Sequence, residues 1–120
     1  MRILLLLGTL LSAWQAWAAV DFVRQVKPLL ETACLDCHGE KKSNGGLQIH
    51  TRKHLFEGAF KGRVLVAGKP EQSLLYTLTL LPSGVARAMP PGGPAFTKEE
   101  KQLLRQWILE GAVWPEEVVL

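Results

Sequence analysis

Apolar residues recur with helical spacing in three stretches of the chain, which are residues 21–33, 70–81 and 97–111. The last stretch is the best marked, because Thr97 and Glu100 occupy the positions of a capping box and Gly111 provides a stop signal. Pro28 interrupts the first stretch, so its helix either kinks there or begins later. An alternating strand over residues 76–80 is the alternative for part of the second stretch. The pattern predicts a small all-α protein.

Two segments between these helices carry turn signals instead of periodic apolar positions. Residues 39–68 are rich in glycine, lysine and polar side chains, and we expect mostly loop with one helical turn near His54. Residues 82–94 end in the run MPPGGP, which begins at Met89 and is too rich in proline and glycine for regular structure. This second segment therefore predicts a loop of defined shape.

The first 18 residues have the pattern of a secretory signal peptide. Arg2 provides a positive charge, an apolar run covers residues 3–11, and the sequence AWA at 16–18 supplies small residues before a cleavage site. The apolar run is shorter than the roughly 20 residues of a membrane-spanning helix, although an uncleaved anchor is the alternative. We predict export to the periplasm or beyond, with residues 19–120 forming one mature domain and no stable membrane span.

The composition restricts the possible functions. The 120 residues include 14 basic and 11 acidic side chains, which give a formal charge of +3 at pH 7. This excess is small and the basic residues are scattered, so the chain is not expected to bind nucleic acid. A single domain of this size has a modest core, which a covalent cofactor or a metal would help to stabilise.

Cys34 and Cys37 are the only cysteines of the chain, and they fit two kinds of metal site. With His38 they form the CxxCH signature, in which two thioether bonds attach a haem and the histidine binds its iron. With His50 and His54 they form C-x2-C-x12-H-x3-H, the spacing of a zinc finger. The segment between the two pairs lacks the apolar residues of a zinc finger, and export also favours haem. A redox-active or disulfide-bonded CxxC is the third alternative, but that motif belongs after a strand.

A haem iron that is bound by one histidine has an open position for a second axial ligand. Met89 is the only methionine after residue 18, and it lies in the proline- and glycine-rich loop. A thioether at a fixed loop position completes a low-spin electron-transfer haem and raises its reduction potential. We therefore predict His38 as the proximal and Met89 as the distal iron ligand, with His50 and His54 as the alternative distal ligands.

Three other residues are candidates for haem contacts. Arg52 and Arg87 can pair with the propionates, and Trp107 can pack in a dry apolar wall that disfavours the extra charge of ferric iron. The alternatives are two solvated surface arginines and an ordinary core tryptophan. We therefore treat all three as possible cofactor contacts.

An ordered set of short motifs resembles the planctomycete-type cytochrome c domain, which has the single-haem cytochrome c fold. The motifs cover nearly all of residues 19–120 and are VKPLL at 26–30, CLDCHG at 34–39, GGL at 45–47, TR at 51–52, GKPE at 68–71, SLLY at 73–76, MPP at 89–91, and WI to GA over 107–112. The resemblance implies a small helical domain wrapped around one covalently attached haem c.

Electron transfer is the function that these features favour. We expect an exported single-haem carrier, not an enzyme, that exchanges electrons with a redox protein such as an exported dehydrogenase or an oxidase. A ligand-binding or sensor haem protein, or a peroxidase, is the alternative, and it requires a distal ligand that is absent or leaves readily. The rigidity of the Met89-Pro90-Pro91 sequence favours the carrier.

Overall fold

The computed structural model describes residues 19–35, 37–39, 41–58, 62–91 and 95–120. The signal peptide predicted for residues 1–18 lies outside these ranges. Within them the chain forms helices, turns and loops without a β-strand, apart from one isolated bridge between His38 and Ser43. This agrees with the predicted all-α class. None of the helices in the described ranges is long and apolar enough to cross a bilayer.

Four α-helices occur in the described part of the chain, namely α1 (Lys27–Ala33), α2 (Arg52–Glu57), α3 (Leu74–Thr77) and α4 (Lys98–Leu109). Shorter helical turns extend or connect them, with a π-helical turn at Phe22–Val26 and 3₁₀ turns at Asn44–Gly46, Pro70–Gln72 and Leu78–Leu80. The helical turn expected near His54 is confirmed as α2, and the alternative strand over 76–80 is wrong, because this segment is helical.

The first helical stretch begins before Pro28, and a π-helical turn makes this possible. The Asp21 carboxylate caps the stretch by accepting from the Arg24 N–H at 3.1 Å. The Lys27 N–H then donates to the Phe22 carbonyl, five residues back, and α1 follows with its proline near its start. Because a proline costs little in the first turn of an α-helix, the wider turn lets the two segments join.

Helix α4 closes the fold, and its predicted capping box is confirmed. The Glu100 N–H donates to Thr97 Oγ1 at 3.1 Å, and the Thr97 N–H donates to Glu100 Oε1 at 2.9 Å. Its apolar face buries Leu104, Trp107 and Ile108. This face packs against the N-terminal helical turn, so both ends of the described chain meet in one core.

The core combines aliphatic side chains with aromatic rings, three of which lie close together. Phe22 lies 4.5 Å from the Trp114 ring and 5.6 Å from the Trp107 ring, measured between centroids. Each indole N–H is paired, since Trp107 Nε1 donates to the Val113 carbonyl at 2.9 Å and Trp114 Nε1 to the Val118 carbonyl at 2.7 Å. The aromatic cluster therefore anchors the C-terminal segment to the rest of the core.

Candidate functional site

Residues that are distant in the sequence line one cavity of about 320 Å³. Cys34, Cys37 and His38 contribute to its wall directly after α1, and Met89 contributes from the proline-rich loop. The rest of the wall is mostly aliphatic and aromatic, with side chains from α1, α3 and α4. The cavity thus brings two thiols, an imidazole and a thioether together in apolar surroundings.

The CxxCH segment is held by a tight turn at the end of α1. The Cys34 N–H donates to the Leu30 carbonyl at 3.0 Å, and the Cys34 carbonyl accepts from the His38 N–H at 3.0 Å. Gly39 follows, and a Cβ at this position would lie 2.7 Å from the Leu35 carbonyl oxygen. Only glycine therefore fits directly after the histidine without moving the backbone.

Backbone hydrogen bonds on both sides of the turn fix His38. Its carbonyl accepts from the Ile49 N–H at 2.7 Å, and the neighbouring Cys37 carbonyl accepts from the Asn44 N–H at 2.9 Å. The Gly39 N–H closes the intervening loop by donating to the Lys42 carbonyl at 2.7 Å. The glycine-rich segment after CxxCH is thus folded back on the motif and does not hang free.

Met89 is placed by a second set of backbone contacts. Its N–H donates to the Leu78 carbonyl at 3.1 Å, and the Ala88 N–H donates to the Val85 carbonyl at 3.0 Å. The peptide bond between Met89 and Pro90 is cis. These contacts bind the loop to the end of the second helical segment, which itself forms part of the cavity wall.

A buried serine positions this second helical segment. Ser73 is fully buried; its Oγ accepts from the Val66 N–H at 2.9 Å and lies 2.9 Å from the Lys69 carbonyl, to which its hydroxyl can donate. Directly after it, the Leu75 N–H donates to the Val64 carbonyl at 2.9 Å. The serine therefore fixes where α3 begins, and α3 contributes Leu74 and Leu75 to the cavity.

Ser73→Ala is expected to lower the free energy of unfolding of the haem-loaded protein by about 1–3 kcal/mol, because the Val66 N–H loses its acceptor beside a fully buried position. Urea unfolding followed by circular dichroism at 222 nm measures the change. Ser83→Ala, in an exposed turn, is the matched control and should change the free energy by less than about 0.5 kcal/mol. If the two variants unfolded at the same urea concentration, the hydrogen bond of Ser73 to the Val66 N–H would not stabilise the protein as predicted.

Two buried polar groups at the cavity are the Cys34 thiol and the Nδ1 atom of His38. Burial among apolar atoms, with a smaller effect from Cys37, raises the pKa of the Cys34 thiol to about 12, so this thiol is neutral at physiological pH. His38 Nδ1 is buried and has no hydrogen-bond partner among the described residues. A buried nitrogen in this situation is costly unless another group satisfies the imidazole.

Of the three other candidates for haem contacts, the structure brings one to the cavity. Arg87 lines it, with an exposed side chain and a positive φ of 75°. The Arg52 guanidinium instead lies 4.7 Å from the centroid of the Phe56 ring, and Arg52 is not part of the wall. Trp107 is buried in the core behind the cavity, whose wall receives Leu104 from the same helix.

His50 and His54 lie next to each other, and neither lines the cavity. Their ring centroids are 4.4 Å apart, and His54 Nδ1 is 2.6 Å from Thr51 Oγ1. In the described ranges, no three His, Cys, Asp or Glu side chains are grouped so that they could hold a metal ion. Cys34, Cys37, His50 and His54 are all described, and they are not grouped as a zinc finger would require.

Part of the apolar wall could not be assigned from sequence. The helical spacing of the second segment indicates Leu74, Leu75 and Leu78, and all three line the cavity. Leu30 and Leu47 belong to the VKPLL and GGL motifs and Leu104 to the last stretch of helical spacing, whereas no sequence feature marks Ile49, Val64 and Phe96 as wall residues. Their common feature is burial or partial burial around one space, which becomes visible only in three dimensions.

The residues around the cavity fit a covalently attached haem. Two thiols two residues apart are able to form two thioether bonds, and an imidazole and a thioether are both iron ligands. The volume lies at the lower end of the roughly 300–1,000 Å³ of cofactor and ligand sites, and the wall is apolar as such sites require.

The fold and the cavity define a small helical protein with an apolar cavity lined by two thiols, an imidazole and a thioether. The sequence model of the planctomycete cytochrome C family matches residues 34–93, half of the chain, and the protein belongs to this family. The match includes the CxxCH motif and Met89. No curated protein and no solved structure shows a significant match. Membership of the family implies haem and indicates a haem-based electron-transfer protein.

Proposed function

We propose that the protein is an exported electron carrier with one haem c in the cavity, attached through Cys34 and Cys37 and ligated by His38 and Met89. The observation that carries the proposal is the meeting of these four residues in one apolar cavity, although Met89 lies far from the motif in the sequence. The family match supports the haem, and the positions of the four side chains support its mode of attachment.

Bound haem supplies one-electron chemistry, in which iron changes between its ferrous and ferric states. His38 and Met89 would keep the same coordination in both states, so few atoms move when an electron is transferred. The backbone hydrogen bonds to both residues hold them in the cavity wall. Rigid ligation of this kind suits transfer of an electron and leaves no position open for a substrate.

The apolar wall has an electrostatic role. Leu30, Leu75 and Leu104 would exclude water from the iron and lower the local dielectric. A low dielectric disfavours the additional charge of ferric iron, which adds to the rise in potential that methionine ligation produces. Arg87 is the better placed of the two candidate propionate partners, because it lines the cavity.

Export and partners follow from the same proposal. Haem c is attached outside the cytoplasm, which is where the predicted signal peptide would direct the chain. The partner would be another exported redox protein, such as a dehydrogenase that donates electrons or an oxidase that accepts them. N-terminal sequencing of the secreted protein should find Ala19 as its first residue.

The proposal is tested by absorption spectra of the oxidised and reduced protein, produced with a haem c maturation system and extracted with acid-acetone. We expect a low-spin haem that resists extraction and shows the far-red band of methionine bound to ferric iron. Covalent haem without that band would contradict ligation by Met89 and favour a ligand-binding haem protein. A colourless product would contradict the haem site as a whole.

A further inference from the structure

The segment that leads into Met89 exposes apolar side chains to solvent. All of residues 80–87 are exposed, and Leu80, Leu81 and Val85 expose 49%, 37% and 46% of their surfaces. The Val85 N–H donates to the Pro82 carbonyl at 3.2 Å, so a turn returns the chain from the two leucines to the valine. We call the three side chains Leu80, Leu81 and Val85 the Met-side patch.

The segment of the chain that contains this patch is almost free of charge. Residues 72–97 contain a single charged side chain, Arg87, although the chain as a whole has 14 basic and 11 acidic residues. Solvent-facing surfaces normally mix charges of both signs, whereas the centres of protein interfaces are depleted of charge. A charge-poor segment with exposed leucines therefore has the character of a surface that a partner covers.

The patch is continuous with the proposed haem site. Leu78, Thr79 and Arg87, which flank it in the sequence, line the cavity together with Met89. The hydrogen bond between the Met89 N–H and the Leu78 carbonyl holds the two ends of the segment together. A molecule that covers the patch would consequently lie beside the cavity wall that contains Met89.

We propose that the Met-side patch is the docking surface for a redox partner protein that presents an apolar area with a carboxylate at its edge. This inference rests on the electron-carrier function proposed above. The apolar area would cover the three exposed side chains, and the carboxylate would pair with Arg87 at the rim. The five N–H donors of an arginine are sufficient for a propionate and a partner carboxylate together.

The charges of the segment favour a protein partner over the two other molecules that an apolar surface attracts, which are a second copy of this chain and a lipid bilayer. In a symmetric dimer through the patch, Arg87 would face its own copy, and residues 72–97 offer no acidic side chain to separate the two. A lipid surface is bound by apolar residues together with a cluster of basic residues, and the segment has one arginine. A different protein is able to supply the missing carboxylate.

The experiment compares haem-loaded wild type with the patch variant Leu80→Ser/Leu81→Ser/Val85→Ser. Soluble and membrane extracts of the source cells are the probe, and the initial rate at which each extract reduces or oxidises the haem is followed by absorbance. Ascorbate and ferricyanide, which need no docking surface, provide the reference rates. We expect the patch variant to react at least about tenfold more slowly with the active extract, since central interface residues contribute most of a binding energy. Its absorption spectrum and its rates with the two small reagents should be unchanged.

A matched control carries the same number of serine substitutions on other elements. It replaces the exposed residues Val23, Leu109 and Val113, which belong to the N-terminal helical turn and to the end of α4 and the segment after it. These residues are about as exposed as those of the patch, with values of 47%, 47% and 63%. The control should react with the extract within about twofold of wild type, a difference that corresponds to about 0.4 kcal/mol.

Four other results would each contradict the inference, and each would do so for a different reason. Equal rates for the patch variant and wild type would leave the carrier function standing and remove the docking surface. A wild type that reacts with ascorbate but with neither extract would overturn the carrier function, and the docking surface with it. Dimerisation of wild type in sedimentation velocity that the variant abolishes would assign the patch to a second copy. Binding to phosphatidylcholine vesicles that the variant abolishes would assign it to lipid.

Discussion

Replacing both Cys34 and Cys37 by serine is expected to free the haem and to leave the extracted chain without a stable tertiary structure. Acid-acetone removes haem that is not held by thioether bonds, and this variant retains no thiol that could form one. Removing the haem leaves the apolar wall of a cavity of about 320 Å³ without a packing partner, and an unfilled apolar cavity is destabilising. The free energy of unfolding of a whole domain is only about 5–15 kcal/mol, so a loss of this kind is large by comparison. Near-ultraviolet circular dichroism of the extracted variant measures the loss of tertiary packing.

The two single-cysteine variants are the controls for this experiment. Each retains one thiol, so each should keep its haem through one thioether bond and preserve its tertiary structure. Haem that stays with the double variant through acid-acetone extraction would show that the attachment does not use these cysteines. A double variant with an intact near-ultraviolet spectrum after extraction would show that the apolar wall holds its shape without the cofactor.

Met89→Ala is expected to lower the reduction potential and to make the reduced iron accessible to carbon monoxide. The potential should fall by a few tenths of a volt, within the roughly 0.8 V that axial ligands span, because a methionine ligand raises it. The far-red absorption band of the oxidised protein should disappear. Redox titration, together with a carbon monoxide difference spectrum, measures both effects.

Two further variants separate ligation from general disturbance of the loop. Met89→His should lower the potential but keep the iron six-coordinate, so carbon monoxide should bind poorly. Leu81→Ala, on the exposed side of the same segment, should leave the potential and the spectrum unchanged. If Met89→Ala retained the wild-type potential and excluded carbon monoxide, the second ligand would be another residue and the carrier mechanism would need revision.

The helices illustrate how far local patterns reach. The capping box at Thr97 is a local interaction within four residues, and for this reason the start of α4 could be predicted and is confirmed. The response of the chain to Pro28 could not be predicted, because a π-helical turn is a choice between nearly equivalent backbone hydrogen-bonding patterns. In the π-helical turn that the chain adopts, Phe22 and Val26 are both packed in the core.

In the site, the chemistry of the residues could be read from the sequence, whereas some of their positions could not. Cys34, Cys37 and His38 are adjacent in the sequence, so their chemistry could be recognised without a structure. Met89 could be named because it is the only methionine after the predicted signal peptide. Arg52 and Arg87 could not be ranked, since both are surface arginines in the sequence and only the fold shows which one lines the cavity.

The sequence by itself determined the family, the helical class, and the thiol, imidazole and thioether groups of the site, because these depend on residue types at short spacing. The tertiary structure decided that the same two cysteines do not meet His50 and His54, and that Trp107 packs behind the wall while Leu104 forms it. It also decided that the segment before Met89 exposes apolar side chains at the edge of the cavity. These side-chain positions result from contacts between distant parts of the chain. The energies of such contacts depend on how all the helices pack together, and no single local pattern determines them.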